Sequence, residues 1–112
     1  MKYGLTEETI EKIIDIVKAH DEVDTLILYG SRATGHYRKA SDIDLVIKGK
    51  NLTLSILFTI ETILDDLLLP YFIDLHIYHF IQSEALLEQI NEHGVVLYER
   101  ANDITSQLLA HS

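Results

Sequence analysis

Asp42 and Asp44 stand one residue apart in Ser41-Asp42-Ile43-Asp44-Leu45-Val46-Ile47, where two acids open an apolar run. Side chains alternate faces along a strand, so both carboxylates point the same way, about 7 Å apart. Like charges held that close repel and raise each other's pKa unless a cation sits between them. The pair therefore reads as a metal site. Asp42 alone also has a structural reading, as a turn or strand-start residue. Asp44, flanked by Ile43 and Leu45, is harder to explain structurally, because a buried lone carboxylate is costly. Upstream, the apolar run Thr25 to Tyr29 feeds a Gly30-Ser31 turn. Gly30 lets a backbone approach a ligand closely. Ser31 fits a helix cap, and a cap also suits phosphate.

Other chemistry is excluded by missing residues. A phosphate loop of the Gly-x4-Gly-Lys-Ser/Thr type would start at Gly30, but His36-Tyr37 follow Gly35, so the lysine is absent. No Gly-x-Gly-x-x-Gly supports dinucleotide binding. The sequence contains no cysteine, which rules out disulfides and thiolate metal sites. His76 and His79 are three apart, which on a strand places them on opposite faces and argues against a zinc pair. Arg32, Arg38 and Lys39 have the charge to meet phosphates or a partner, and also suit a solvated loop.

Several elements must position these residues. Thr6-Glu7-Glu8 reads as a helix start, and Ile10, Ile13, Ile14 and Val17 continue it to about residue 20. Val23 to Tyr29 reads as a buried strand, Ser31 to Gly35 as a helical turn, and Asp42 to Lys48 as a second strand. Leu52 to Leu69 is the longest apolar-rich segment. Ile56, Ile60, Ile63, Leu64 and Leu67 fall on one helical face, and Pro70 stops it. Its acids Glu61, Asp65 and Asp66 argue against a membrane span. Leu54 and Phe58 lie off that face, available to another copy, a partner or water. Phe72 to Tyr78 alternates as a third strand, with Asp74 and His76 on one face and Leu75 and Ile77 on the other. Ser83 caps a short helix that Gly94 ends, and Val95 to Tyr98 forms a fourth strand. The order predicts an α/β (α+β) fold with one domain over residues 1–100 and a tail over 101–112.

At 112 residues the chain has the length of one domain. With 18 acidic against 9 basic residues, a formal net charge of −9, it lacks the basic footprint of a direct nucleic-acid binder. The start shows no export pattern, and with no cysteine this fits a cytoplasmic protein.

Gly30-Ser31, a gap of ten residues, and Asp42-x-Asp44 together resemble the signature of the polymerase β-like nucleotidyltransferase superfamily. In particular the chain is similar to the minimal nucleotidyltransferases, the antitoxin half of HEPN/MNT toxin–antitoxin pairs. The third aspartate of that family lies on a later strand, and Asp74 in Phe72-Ile73-Asp74-Leu75 fills its place. The resemblance implies a small mixed sheet flanked by helices. It implies Mg²⁺ held by Asp42, Asp44 and Asp74, the catalytic triad, and ATP as the nucleotide donor, contacted by Gly30, Ser31 and Arg32. It also implies transfer of AMP to a tyrosine of a HEPN-domain toxin, in a homo- or hetero-oligomer. Two alternatives stay open: an antitoxin that masks its partner without catalysis, and a transferase acting on a small molecule such as an aminoglycoside. His76-Ile77-Tyr78 echoes the His-x-Tyr of HEPN toxins, but the arginine that motif needs upstream is replaced by Leu69, Pro70 and Tyr71.

Overall fold

The computed structural model describes residues 1–100, so the tail expected over 101–112 lies outside the described residues. Thr6 caps α1 (Glu7–Lys18) by accepting a hydrogen bond from the Thr9 backbone N–H, and Glu7 and Glu8 fill the first turn. Acids there meet the positive end of the helix dipole. Ile13 and Val17, four apart, form its buried stripe.

Strands β1 (Thr25–Tyr29), β2 (Ile43–Lys48), β3 (Ile73–Ile77) and β4 (Val95–Glu99) form one four-stranded sheet in the order β3-β2-β1-β4. β1 runs antiparallel to β2 and β4, whereas β2 and β3 are parallel. Parallel neighbours need a crossover, and α3 (Leu54–Asp65) supplies it, capped by Thr53. The expected mixed sheet with flanking helices is what the chain forms.

Alternation along the strands divides the core in two. Leu26, Leu28, Ile43, Leu45, Ile47 and Leu75 face α1 and α3 in the main apolar cluster. Ile27, Tyr29 and Val46 face the opposite side, where Ile90 of α4 (Glu84–His93) packs on them. Toward the start of β2 that second face opens to solvent. Asp42 is exposed there, and Asp44 and Asp74 are half-buried. The fold thus shields one face of the sheet and leaves part of the other for chemistry.

Three details differ from the sequence reading. In α3 the buried residues are Leu57, Ile60 and Leu64, while Ile63 is 39% exposed. The stripe is rotated by part of a turn, because spacings of three and four from Leu57 align as well as those from Ile56. The helix also stops at Asp65, with Leu68 in a left-handed conformation at φ 52° ahead of Pro70. The third strand ends at Ile77, and Tyr78–Phe80 turn into a 3-10 segment. Leu54 and Phe58 are exposed, as their position off the apolar stripe predicts. Among the described residues no helix is long and apolar enough to cross a membrane.

Candidate active site

The turn after β1 is built on Gly30, at φ 75° and ψ −155°. This backbone region is essentially restricted to glycine. Gly30 is the N-cap of the short helix α2 (Ser31–Thr34), and its carbonyl accepts from the N–H groups of Ala33 at 3.1 Å and Thr34 at 3.2 Å. Ser31, expected as the cap, is instead the first helical residue. A Cβ on Gly30 would collide with Oδ2 of Asp44. Absence of a side chain therefore lets the turn lie directly against that carboxylate.

Asp44 is paired in register with two site residues. Across the antiparallel ladder it stands opposite Tyr29, and across the parallel ladder it stands opposite Asp74. Asp42 lies two residues upstream, just before β2 begins. The Asp-x-Asp alternation and the β2–β3 register thus bring all three expected carboxylates to one open patch. His76, two residues beyond Asp74 on the same face, places Nε2 3.1 Å from Asp74 Oδ2.

The electrostatics follow from this crowding. Burial first, then the charges of Asp74 and Asp42, push the Asp44 carboxyl above its ordinary range, with His76 acting in the opposite direction. Burial, then the negative charges of Asp44 and Asp74, push the Tyr29 phenol up to about 12. Both shifts combine burial with nearby negative charge, and a cation would relieve the second of these.

Among the described residues, no group of three or more His, Asp or Glu side chains is gathered as a ready-made metal cage. Mg²⁺ does not require one. It takes one or two carboxylates and completes its octahedron with water and substrate phosphates. Two adjacent, half-open carboxylates, one of them destabilised by its own charge, fit that chemistry.

Arg32 is in a different place from the one expected. It is not on a solvated loop but within α2, and 1% exposed. Its Nε and Nη2 donate to the Ser41 carbonyl at 3.1 and 2.7 Å, Nη1 donates to the Tyr3 carbonyl at 2.9 Å, and Nη2 also reaches the Lys39 carbonyl at 3.4 Å. Its guanidinium carbon lies 4.6 Å from the Tyr71 ring centroid and 5.4 Å from that of Tyr37. Backbone carbonyls and aromatic faces occupy the guanidinium, which removes it from the phosphate-binding candidates. Arg38 and Lys39 are exposed.

Tyr29 and His76 belong to the site but were not singled out as site residues from sequence. The alternation of β3 carried the signal for His76, since it shares the face of Asp74. Tyr29 depended on the β1–β2 register, which no local pattern reveals.

The sequence profile of the family described as "Polymerase beta, Nucleotidyltransferase" matches residues 11–103. No curated protein matches. Among solved structures, the fold is similar to that in a complex of a tri-AMPylated Shewanella oneidensis HEPN toxin with an MNT antitoxin. That similarity has a TM-score of 0.66 at 19% identity, covering 90% of this chain and 78% of the other. A toxin–antitoxin structure with AMP-PNP gives 0.66 at 22% identity, covering 96% and 89%. A nucleotidyltransferase fold from Sulfolobus solfataricus gives 0.51 at 17% identity, covering 83% and 79%. At these identities the structural likeness establishes the fold.

Proposed function

This chain belongs to the polymerase β nucleotidyltransferase family, and we propose that it is a Mg²⁺-dependent antitoxin that transfers AMP from ATP to a tyrosine of a HEPN-domain toxin in the cytoplasm. The observation that carries the reading is the side-by-side register of Asp44 and Asp74 next to the side-chain-free turn at Gly30. The similar structures of HEPN toxin with MNT antitoxin, one of them tri-AMPylated, support the acceptor.

In this reading Asp42 and Asp44 would hold the metal and Asp74 would complete the site on the attacking side; when bound, the metal would neutralise phosphate charge and align the reacting oxygens. Gly30 brings the backbone close to the triphosphate, and Ser31 offers its hydroxyl. The tyrosine oxygen forms a bond to the α-phosphorus as the α–β anhydride bond breaks. Pyrophosphate leaves with that electron pair, and the phenolic proton passes to the Asp74 carboxylate. His76, 3.1 Å from Asp74 Oδ2, fixes the orientation of that carboxylate. Pre-set geometry of this kind supplies much of the rate in phosphoryl-group chemistry.

Exposed Leu54 and Phe58 favour a second reading, an antitoxin that neutralises by masking alone. One experiment separates the two. The purified chain is incubated with α-labelled ATP, Mg²⁺ and the HEPN protein encoded beside it, and label on the toxin is followed by mass spectrometry. Transfer that Asp44→Asn abolishes supports catalysis. An unlabelled toxin that Asp44→Asn still neutralises fully establishes masking. Label on an added aminoglycoside instead of the toxin assigns a small-molecule acceptor.

A further inference from the structure

The buried Arg32 touches the segments that lead into Asp42 and Asp74, and it lies in α2, directly after Gly30 and Ser31. Two of its nitrogens converge on the Ser41 carbonyl, the peptide group that joins Ser41 to Asp42. One face of its guanidinium system packs on Tyr71, at 4.6 Å from the ring centroid, three residues before Asp74. Its remaining donor closes over the start of the chain. The Tyr3 carbonyl accepts from Nη1 at 2.9 Å, inside a tight turn held by reciprocal Lys2–Leu5 backbone bonds. Gly4 is at φ 73°, and a Cβ there would lie 2.8 Å from Nη1, so the turn is shaped to the guanidinium.

Among the described residues no carboxylate pairs with this cation at ion-pair distance. A buried charge held by carbonyl dipoles and aromatic faces is a poor choice for stability alone, since a well-packed apolar side chain avoids its desolvation. Its planar fork of five donors, however, fixes direction as well as distance, which a lysine ammonium cannot do.

We infer that Arg32 is a positioning residue that locks the Gly30-Ser31 turn, the Asp42 peptide and the approach to Asp74 into one register. Its guanidinium sets the separation between the turn and the carboxylates across the ten residues that lie between them. The kinetic consequence rests on the nucleotidyl-transfer reading, whereas the structural consequence does not.

The test compares Arg32→Lys with the wild-type chain by amide hydrogen exchange and by single-turnover AMP transfer to the HEPN protein at a temperature where both are folded. The Ser41, Ala33 and Thr34 amides, which donate to Arg38 and Gly30 carbonyls, are the reporters, and those of Leu57 and Leu87 are the controls. Exchange about tenfold faster at the reporters with unchanged controls is expected. So is a fall of about a hundredfold in the single-turnover rate constant per folded molecule, as for a misplacement near 1 Å, with the ATP concentration for half-maximal rate little changed. An even rise in exchange across the chain, with activity per folded molecule preserved, overturns the inference. Should Arg32→Lys not fold, Tyr37→Leu removes one aromatic wall from an exposed position and must speed the same amides. If the wild-type chain transfers no nucleotide, the proposed function fails, and exchange at the reporters decides the role of Arg32 alone.

Discussion

Asp44 and Asp74 occupy the same rung of the parallel β2–β3 ladder, so two carboxylates stand side by side on the open face of the sheet. Neighbouring strands lie about 4.8 Å apart, well inside the range where like charges raise each other's pKa. Burial is the largest reason that the Asp44 carboxyl is pushed above its ordinary range, and the charges of Asp74 and then Asp42 push the same way. The metal-free site is therefore destabilised by its own charge.

That destabilisation has a sign and a pH window. With its folded pKa raised, Asp44 binds more proton in the native state than in the unfolded one, so stability falls as pH rises from the ordinary aspartate range through the raised value. Asp44→Asn should raise the Tm of the metal-free protein at pH 7 and flatten this part of its pH dependence. Added Mg²⁺ should raise the wild-type Tm and leave that of Asp44→Asn nearly unmoved. Transfer activity should drop at least about a hundredfold in the same variant. Calorimetry across pH, with and without Mg²⁺, checks the stability predictions.

Gly30→Ala should be doubly costly. The backbone region at φ 75° and ψ −155° excludes a Cβ, and that atom would meet Asp44 Oδ2. The strain is of order 1–3 kcal/mol, visible in a urea titration. Part of the cost belongs to the contact, so Gly30→Ala should be milder in an Asp44→Ala background. A coupling of about 0.5–3 kcal/mol in the double-mutant cycle is expected. Strict additivity would mean that the two residues do not press on each other.

Local pattern made most of this architecture legible. The caps Thr6 and Ser83, the period-2 runs, and the segment between the second and third strands are short-range signals, and they fixed element order. Asp42 and Asp44 were legible because the Asp-x-Asp alternation leading into β2 and the ten-residue gap to Gly30-Ser31 are sequence properties. What resisted was register and burial. Tyr29 meets Asp44 only through antiparallel pairing, and the same composition slipped by one residue would turn it to the other face. Arg32 read as a phosphate contact from its charge and from the family resemblance, neither of which carries information on burial. Its actual partners, the Tyr3, Lys39 and Ser41 carbonyls, are brought to it by tertiary packing. The rotated stripe of α3 has the same origin, since Leu57 and Ile63 are equally apolar and only the packed partners choose between them.

Leu54 and Phe58 are separated by one helical turn on the outer side of α3, 53% and 58% exposed. If they seat the HEPN partner, Leu54→Ser/Phe58→Ser should weaken the complex at least about tenfold, a loss near 1.4 kcal/mol typical of an interface anchor. Tm should change little, because neither side chain is in the core. Isothermal titration with the HEPN protein measures the first and calorimetry the second. Equal affinity for both proteins would place the interface elsewhere.

Tyr29 gives an independent spectroscopic report on the charge at the site. Its phenol is pushed up to about 12 by burial first and then by Asp44 and Asp74. In an alkaline ultraviolet titration, one of the chain's six tyrosines should therefore ionise late. Comparison with Tyr29→Phe assigns it. Since the folded state keeps that proton while an unfolded tyrosine loses it near 10, the phenol makes stability fall as pH rises from about 10 to 12. Asp44→Asn removes one of the two negative charges, so it should lower the Tyr29 midpoint while leaving it above 10, because burial persists. A midpoint that does not respond to Asp44→Asn would separate the phenol from that carboxylate electrostatically and leave burial as the cause of the shift.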